Sequence, residues 1–411
     1  MQSVVKRQFE LEEEYLRQRF RAGRVPLPQL PLIPLGINAA DFRSDPEARQ
    51  EMRARHGAGD DAFVVLTMGR FTVGEKANMV PLFQVLERLA AQSARPVHLW
   101  MTGWTANEKE RDVHLRGAAE IAPSVTCQLL DGRDEEIRRK VWSGADVFTL
   151  PVDNIQETFG LVPVEAMSAG LPVVMPDWDG FRDTVVHGET GWLIPTWLAA
   201  PGQGRLLARR FLTGADDYLR YLVLTQQHTV IDQAAYLEAF RTLIDDPERG
   251  RQMGAAGAAH VRRNFDWSAV VPQYLALSEA LAERRQRSRA TTPKLASGPV
   301  SPVEVDPFDL YRAYPTASLT LDDHVAPAEP LSAERLAQLD QFNGRNLYSR
   351  RILPDATVLA IQNAVPAKGA KIAAVAKAVP HPDFHVLAAL LFLAKHGAVQ
   401  IQRRGGSGVT L

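Results

Sequence analysis

The sequence predicts an α/β fold, a parallel sheet with helices on both faces, followed by a smaller, mainly helical unit. Three observations predict it. Between residues 31 and 195 short apolar runs alternate with helix-length stretches, the signature of right-handed crossovers in a parallel sheet. Residues 143–176 run strand, loop, helix, stop, strand around ETFGLVPVEAM. Residues 286–330 are rich in Pro, Ser, Thr and Ala without periodicity, which marks a linker before residues 331–411. At 411 residues and 45% apolar content, the chain has material for two or three domains with real cores.

The elements follow in order. Residues 3–22 read as an amphipathic helix offering Val4, Phe9, Leu11, Tyr15, Leu16 and Phe20 for burial, so it needs a partner; the Pro-rich link VPLPQLPLIPLG comes next. The strand-like runs LIPLG, FVVLTMG, VHLWMTG, VTCQLL and DVFTLPV then alternate with helices expected around 79–91, 108–122 and 135–143. In such a sheet ligands gather at the carboxyl ends of the strands. After GWLIPT the pattern loosens, and residues 196–229 read as an insertion with its own helix. Helical periodicity resumes from Asp232 through AYLEAFRTLIDD, ERGRQMGAAGAAHVRRNF and DWSAVVPQYLALSEALAERRQ. The last unit shows helical stretches at SAERLAQLDQF, AKIAAVAKAV and HVLAALLFLAKHG and a strand-like AVQIQRR, an order that suggests a winged-helix-like module.

Charge and composition exclude several classes. A formal charge of -1 gives no global attraction to nucleic acid or an anionic membrane. Residues 331–411 are more basic, with ten Lys plus Arg against four Asp plus Glu, yet that is a modest patch, and nucleic acid is not the expected partner. Cys127 is the only cysteine, which rules out an intrachain disulfide and a cysteine-built zinc site and fits a reducing compartment, the cytoplasm by default. The longest apolar run, VLAALLFLA at 386–394, is about half the ~18 residues of a spanning helix, and the first residues lack the apolar centre of a signal peptide. His381 and His385 stand at i and i+4 without an acidic or cysteine partner, so no metal or other cofactor is expected.

The chemistry concentrates at Glu157 and Glu165, eight positions apart around a Phe-Gly-Leu turn. Amides at the helix start, Phe159 to Leu161, suit a phosphate, and the two carboxylates suit sugar hydroxyls. Taken singly, either Glu fits the first turns of a helix as well as it fits a ligand. Their context is more specific. ETFGLVPVEAMSAGLPVV is similar to the E-x7-E signature of glycosyltransferase family 4, retaining enzymes with a GT-B fold that transfer a sugar from a nucleotide-sugar. DGFRDTVVHGETGWLIP resembles that family's next segment, and TMGRFTVGEKAN its strand followed by Gly-Arg-x-Lys.

The resemblance covers residues 31–285 and implies a Rossmann-like, nucleotide-sugar donor-binding domain there. Residue by residue it implies that Glu157 contacts the transferred sugar, that Gly160 and Leu161 after Phe159 offer amides to the diphosphate, and that Glu165 holds the ribose. It makes Arg70 and Lys76, after Gly69, the cations that stabilise the leaving diphosphate without a metal. Gly103 matches the Gly ending the family's next strand, though a Gly there is equally a turn, and Leu130, Gly132 and Arg133 fall where the family places its base-binding loop. Arg133 could instead pair with Asp134 or Glu135. Ala77 stands where the family usually has Gly, with Gly74 earlier, and Asp183 stands where many relatives have Glu. The family's amino-terminal acceptor domain has no counterpart, and residues 1–30 read as its remnant helix and linker.

The implied activity is that of a retaining hexosyltransferase. Its partners are a nucleotide-sugar donor, an unidentified acceptor and, where the acceptor domain is a separate polypeptide, that chain. Two alternatives stand beside it: an inactive donor-binding fragment or half of a split enzyme, and a regulatory or DNA-binding scaffold carrying a degenerate transferase domain.

Overall fold

The structure, a computed structural model, describes residues 2–291, 306–342 and 353–402. The chain divides between Thr292 and Pro293 into two compact units. Helices α1 (Gln2–Phe20) and α2 (Pro46–Arg55) precede the first strand. No described side chain of α1 is buried: Val4, Leu11, Tyr15, Leu16 and Phe20, expected to be covered, are exposed. The run LIPLG forms no strand. Ile37 instead makes an isolated bridge to Asp266, accepting from Trp267 N at 3.0 Å and donating to Phe265 O at 2.8 Å, and its neighbouring prolines offer no donors to a ladder.

The sheet consists of β1 (Phe63–Phe71), β2 (Val97–Thr105), β3 (Thr126–Asp131), β4 (Val147–Thr149), β5 (Val173–Pro176) and β6 (Gly191–Ile194). Its spatial order is β3-β2-β1-β4-β5-β6, and every pairing is parallel. That is the order of doubly wound, Rossmann-like sheets, with the reversal between β1 and β4. Crossovers use α3 (Val80–Gln92), α4 (Glu108–Ile121), α5 (Glu135–Gly144), α6 (Leu161–Ser168) and α7 (Phe181–Thr184). Both faces are covered. Val64, Leu66, Trp100, Phe148 and Met175 enter one core, while their strand neighbours Phe63, Val65, Leu99, Met101 and Val174 enter the other. Continuous apolar runs thus serve two cores at once, as parallel strands require.

After β6 the chain makes a closed excursion. Strands β7 (Thr196–Leu198) and β8 (Thr229–Ile231) pair antiparallel, with α8 (Arg205–Leu212) and α9 (Tyr218–Gln226) between them. The insertion therefore has two helices where the sequence suggested one. Helices α10 (Gln233–Asp245), α11 (Pro247–Asn264) and α12 (Trp267–Ser288) complete this unit.

The second unit contains α13 (Pro307–Leu310), β9 (His324–Pro327), α14 (Ala333–Leu339), α15 (Asp355–Asn363), β10 (Ala370–Lys371), α16 (Ile372–Ala378), α17 (Asp383–Lys395) and β11 (Val399–Gln402). Its strands form an antiparallel sheet in the order β10-β9-β11. Strand β9 lies inside the stretch expected to be linker, with Val325 buried in the core beside Leu390 and Leu393. Gln362 ties α15 to the chain before α14, donating to Leu331 O at 3.0 Å and accepting from Leu331 N at 2.9 Å. Of the basic residues expected to form a patch, Arg345, Arg350, Arg351, Arg403 and Arg404 lie outside the described residues.

One polar knot fixes the amino ends of the central strands. Asp45 caps α2 by accepting from the amides of Glu47 and Ala48, with Pro46 at the first helical position. From that helix the buried Arg53 donates to Gly144 O, Gly59 O and Ala62 O at 3.1, 2.7 and 2.6 Å and to Asp146 Oδ2 at 3.2 Å. Asp146 Oδ2 also accepts from Val64 N at 2.8 Å. Removing Arg53 takes a charged donor from three carbonyls and from Asp146, which keeps Arg49 as its remaining ion-pair partner, so Arg53→Ala is expected to lower unfolding free energy by about 3 kcal/mol. Urea denaturation of the variant beside the parent protein measures this.

Candidate functional site

Strands β1 and β4 are neighbours whose outgoing loops diverge, which opens a crevice at their carboxyl ends. The loop after β1, residues 72–79, carries Lys76; the loop after β4, residues 150–160, carries Glu157. They meet across the crevice. Lys76 Nζ donates to Glu157 Oε2 at 2.5 Å, and the Glu157 side chain is only 10% exposed.

Two residues of the loop after β4 set this approach. Asn154, fully buried, donates from Nδ2 to Gly74 O at 3.0 Å and accepts from Gln156 N at 2.9 Å, while Trp178 Nε1 donates to Asn154 O at 3.1 Å. Asp153 Oδ1 accepts from Asn78 N at 3.1 Å and from Gln226 Nε2 at 2.6 Å. Within the loop, Glu75 N donates to Thr72 Oγ1 at 3.0 Å. Ala77, where a glycine was expected, is buried. The Lys76 loop is thus held on both sides of the lysine.

Beyond Glu157 the chain turns into α6 through Gly160, which has φ +78°. A Cβ there would also stand 2.3 Å from the Phe181 ring, so only glycine fits. Among the described residues, no protein acceptor takes the amides of Phe159, Gly160, Leu161 or Val162. Glu165 follows one turn later. Its carboxylate has no hydrogen-bond partner among the described residues, and burial raises its pKa, with the Arg138 charge opposing the shift. Four backbone donors without a protein acceptor thus stand one turn from a half-buried carboxylate without a hydrogen-bond partner among the described residues.

The wall of the crevice is built from β1 and β2. Gly69 and Gly103 are register partners, and a Cβ on Gly103 would lie 1.8 Å from Gly69 O, so no side chain fits at Gly103. Arg70 extends from this wall, its Nη2 2.5 Å from Glu75 Oε2 and its guanidinium 6.0 Å from the centroid of the Trp104 ring.

Some sequence candidates are placed elsewhere. Leu130 is buried in the core rather than presented in a loop. Arg133 pairs with Asp131, not with Asp134 or Glu135: the latter two begin α5, whose first amides Asp134 caps, while Asp131 ends β3 facing the guanidinium. That pair is exposed, and hydrogen bonds from Arg133 hold the Asp131 carboxyl down to about 2. Gly132 donates to Gly103 O at 2.8 Å, and Asp183 is exposed on α7. Conversely, Glu75, Trp104, Asp153, Asn154 and Gln226 were not singled out from the sequence. An Asp-Asn pair closing an apolar run is a turn signal that points to Asp153 and Asn154.

Residues 62–203 match the family described as "Glycosyl transferases group 1". That stretch of the α/β unit is thus similar to group 1 glycosyl transferases, and it lies within the doubly wound, Rossmann-like sheet. The chain is 28% identical over 267 residues to a D-inositol 3-phosphate glycosyltransferase of Kineococcus radiotolerans, covering 64% of this chain and 54% of that protein. It is 26% identical over 281 residues to a GDP-mannose-dependent alpha-(1-6)-phosphatidylinositol monomannoside mannosyltransferase of Mycolicibacterium smegmatis, covering 67% of this chain and 62% of that one. It therefore spans about half to three fifths of the length of these curated relatives. Among solved structures it is similar to sucrose-phosphate synthase from Thermosynechococcus elongatus, at 25% identity and a TM-score of 0.44, over 66% of this chain and 57% of that one.

Asp153 gives the site a measurable pH signature. Desolvation pushes its carboxyl up to about 6, against the hydrogen bonds from Gln226 and Asn78. A carboxyl with a folded pKa above its unfolded one holds its proton more tightly when folded, so its contribution to stability is full below about pH 4 and is lost as pH rises through about 6. The unfolding free energy of the parent protein is expected to fall between pH 4 and pH 7 by on the order of 3 kcal/mol relative to Asp153→Asn. Urea denaturation of both proteins across that range is the measurement.

Proposed function

We propose that the α/β unit binds a nucleoside-diphosphate sugar in the crevice between β1 and β4 and serves a retaining hexosyltransferase reaction. The observation that carries this reading is the Lys76–Glu157 pair beside the free amides of Phe159 to Val162. A diphosphate needs donors and positive charge, which those amides, Lys76 and Arg70 supply; the sugar and ribose hydroxyls need carboxylates, which Glu157 and Glu165 supply. In the ligand-free protein Lys76 and Glu157 satisfy each other. With donor bound, Lys76 turns to the leaving diphosphate and Glu157 to the sugar.

In the proposed reaction the bond from the anomeric carbon to the diphosphate oxygen breaks with its electron pair leaving on that oxygen. Lys76, Arg70 and the helix amides stabilise the charge that builds there, without a metal. Glu157 orients the sugar as it becomes oxocarbenium-like, and the acceptor hydroxyl oxygen bonds to the same face while its proton passes to the departing diphosphate oxygen. GDP-mannose, the donor in the name of the M. smegmatis relative, is the first donor to test.

A second reading is favoured by the surface: this chain supplies the donor half and another domain, in cis or in trans, supplies the acceptor site. Helix α12 buries only Val270 and exposes Val271, Tyr274, Leu275 and Leu281, and α1 exposes Tyr15 and Phe20. Such apolar faces suit a protein partner. No described helix is long and apolar enough to cross a membrane, and we place the protein in the cytoplasm on the strength of its single cysteine. Turnover of labelled nucleotide-sugar by this chain alone would remove the second reading.

Calorimetry with GDP and UDP tests the donor site. The parent chain is expected to bind at least one of them, and Arg70→Ala and Glu165→Ala each to weaken it by roughly tenfold to a hundredfold, the range for a charged hydrogen bond. Unchanged affinity in both variants would exclude this crevice as the donor site.

A further inference from the structure

The excursion formed by residues 196–231 leaves the sheet and returns to almost the same point: Asp232 N donates to Pro195 O at 2.9 Å. The α/β unit could close without it. Its helix α9 nevertheless reaches the donor crevice. Gln226, at the end of α9, is 2% exposed and donates to Asp153 Oδ1, the same oxygen that receives Asn78 N. One turn earlier, Val223 stands so close to Gly74 that a Cβ there would lie 2.3 Å from its Cγ2.

These two contacts fall on either side of Lys76, at Gly74 and through Asp153 at Asn78. Only Leu222 and Gln226 of α9 are buried, and the buried Gln226 Oε1 has no hydrogen-bond partner. Apolar packing alone does not account for a buried amide left half satisfied, because such a group costs stability. A requirement to hold Asp153 and the Asn78 amide in register does account for it.

We infer that the inserted helix α9 is a positioning element of the donor site: Gln226 and Val223 hold the 72–79 loop so that Lys76 stays aimed into the crevice. The inference rests on the donor-site reading for its consequence but not for its mechanics. Holding the loop before ligand arrives removes an ordering cost from binding, the usual gain of preorganisation. Gln226 touches no ligand in this scheme; it acts through Asp153 and Asn78 on Lys76.

The test uses the full chain as parent, Gln226→Ala, Val223→Ala, Lys76→Ala and the double variant Gln226→Ala with Lys76→Ala. Amide hydrogen exchange without ligand reads the mechanics. Exchange at Asn78 and Glu75 is expected to rise about tenfold or more in Gln226→Ala and in Val223→Ala, while residues 63–68 of β1 keep parental protection. Calorimetry with GDP and UDP reads the consequence: each of the two α9 variants weakens binding about tenfold, and Gln226→Ala adds little once Lys76 is removed. Unchanged exchange across 72–79 in both variants would overturn the inference, as would effects of Gln226→Ala and Lys76→Ala that simply multiply. Parental protein that binds neither nucleotide would sink the donor-site reading, and the exchange result alone would then decide whether α9 holds the loop. If Gln226→Ala does not fold, Val223→Ala alone and combined with Lys76→Ala makes the same comparison.

Discussion

In the loop after β4 the side chains of Asp153 and Asn154 grip the backbone of the loop that leaves β1, and the arrangement of the crevice follows from that grip. A doubly wound sheet by itself only guarantees that two loops part company where the strand order reverses. It does not say how far apart their side chains end. Asn154 on Gly74 O and Asp153 on Asn78 N bring the loops back together, and the distance between Lys76 and Glu157 is the result. Both anchors are buried, where a hydrogen bond lost is not replaced by water.

The site leaves polar groups open that several other helices of the unit close. Asp45, Asp134, Asp217, Asp232 and Asp266 each accept from the first amides of their helices. Helix α6 begins with Gly160 in a left-handed conformation and no side-chain cap, and the half-buried Glu165 carboxylate has no hydrogen-bond partner among the described residues. Departures from local rules are expected at functional sites, which fits the donor site proposed for this crevice. The exposed pair of Arg133 with Asp131 is the contrast, since it satisfies itself at the surface and asks nothing of a ligand.

Much of this was legible in the sequence. The strand runs, the crossover helices and the pairing of a helix-start glycine with two carboxylates are all local patterns, fixed by period and spacing. Contacts between distant segments were not legible. Nothing near Arg133 distinguishes Asp131 from Asp134, because the choice depends on where β3 ends and which aspartate caps α5. Leu130 looked like a loop residue and is the last buried position of a strand. Helix α2 was missed although Asp45 followed by Pro46 is a readable start, because its apolar face is small: Ala48 and Met52, with Arg53 filling the rest. The insertion showed itself only as a loss of pattern, and its hold on Asp153 across 73 residues of chain is a tertiary fact. In the second unit, β9 is a four-residue strand inside a composition that reads as linker, and its partners lie far along the chain.

The central claim is that the loops after β1 and β4 together form one diphosphate site. Amide chemical-shift mapping during a titration with GDP or UDP tests it most directly, because the unoccupied donors are themselves backbone N–H groups. The account predicts the largest shifts at Phe159, Gly160, Leu161 and Val162 and in the loop around Lys76, saturating together. Shifts confined to other parts of the chain, or saturating binding that leaves these amides unmoved, would contradict it.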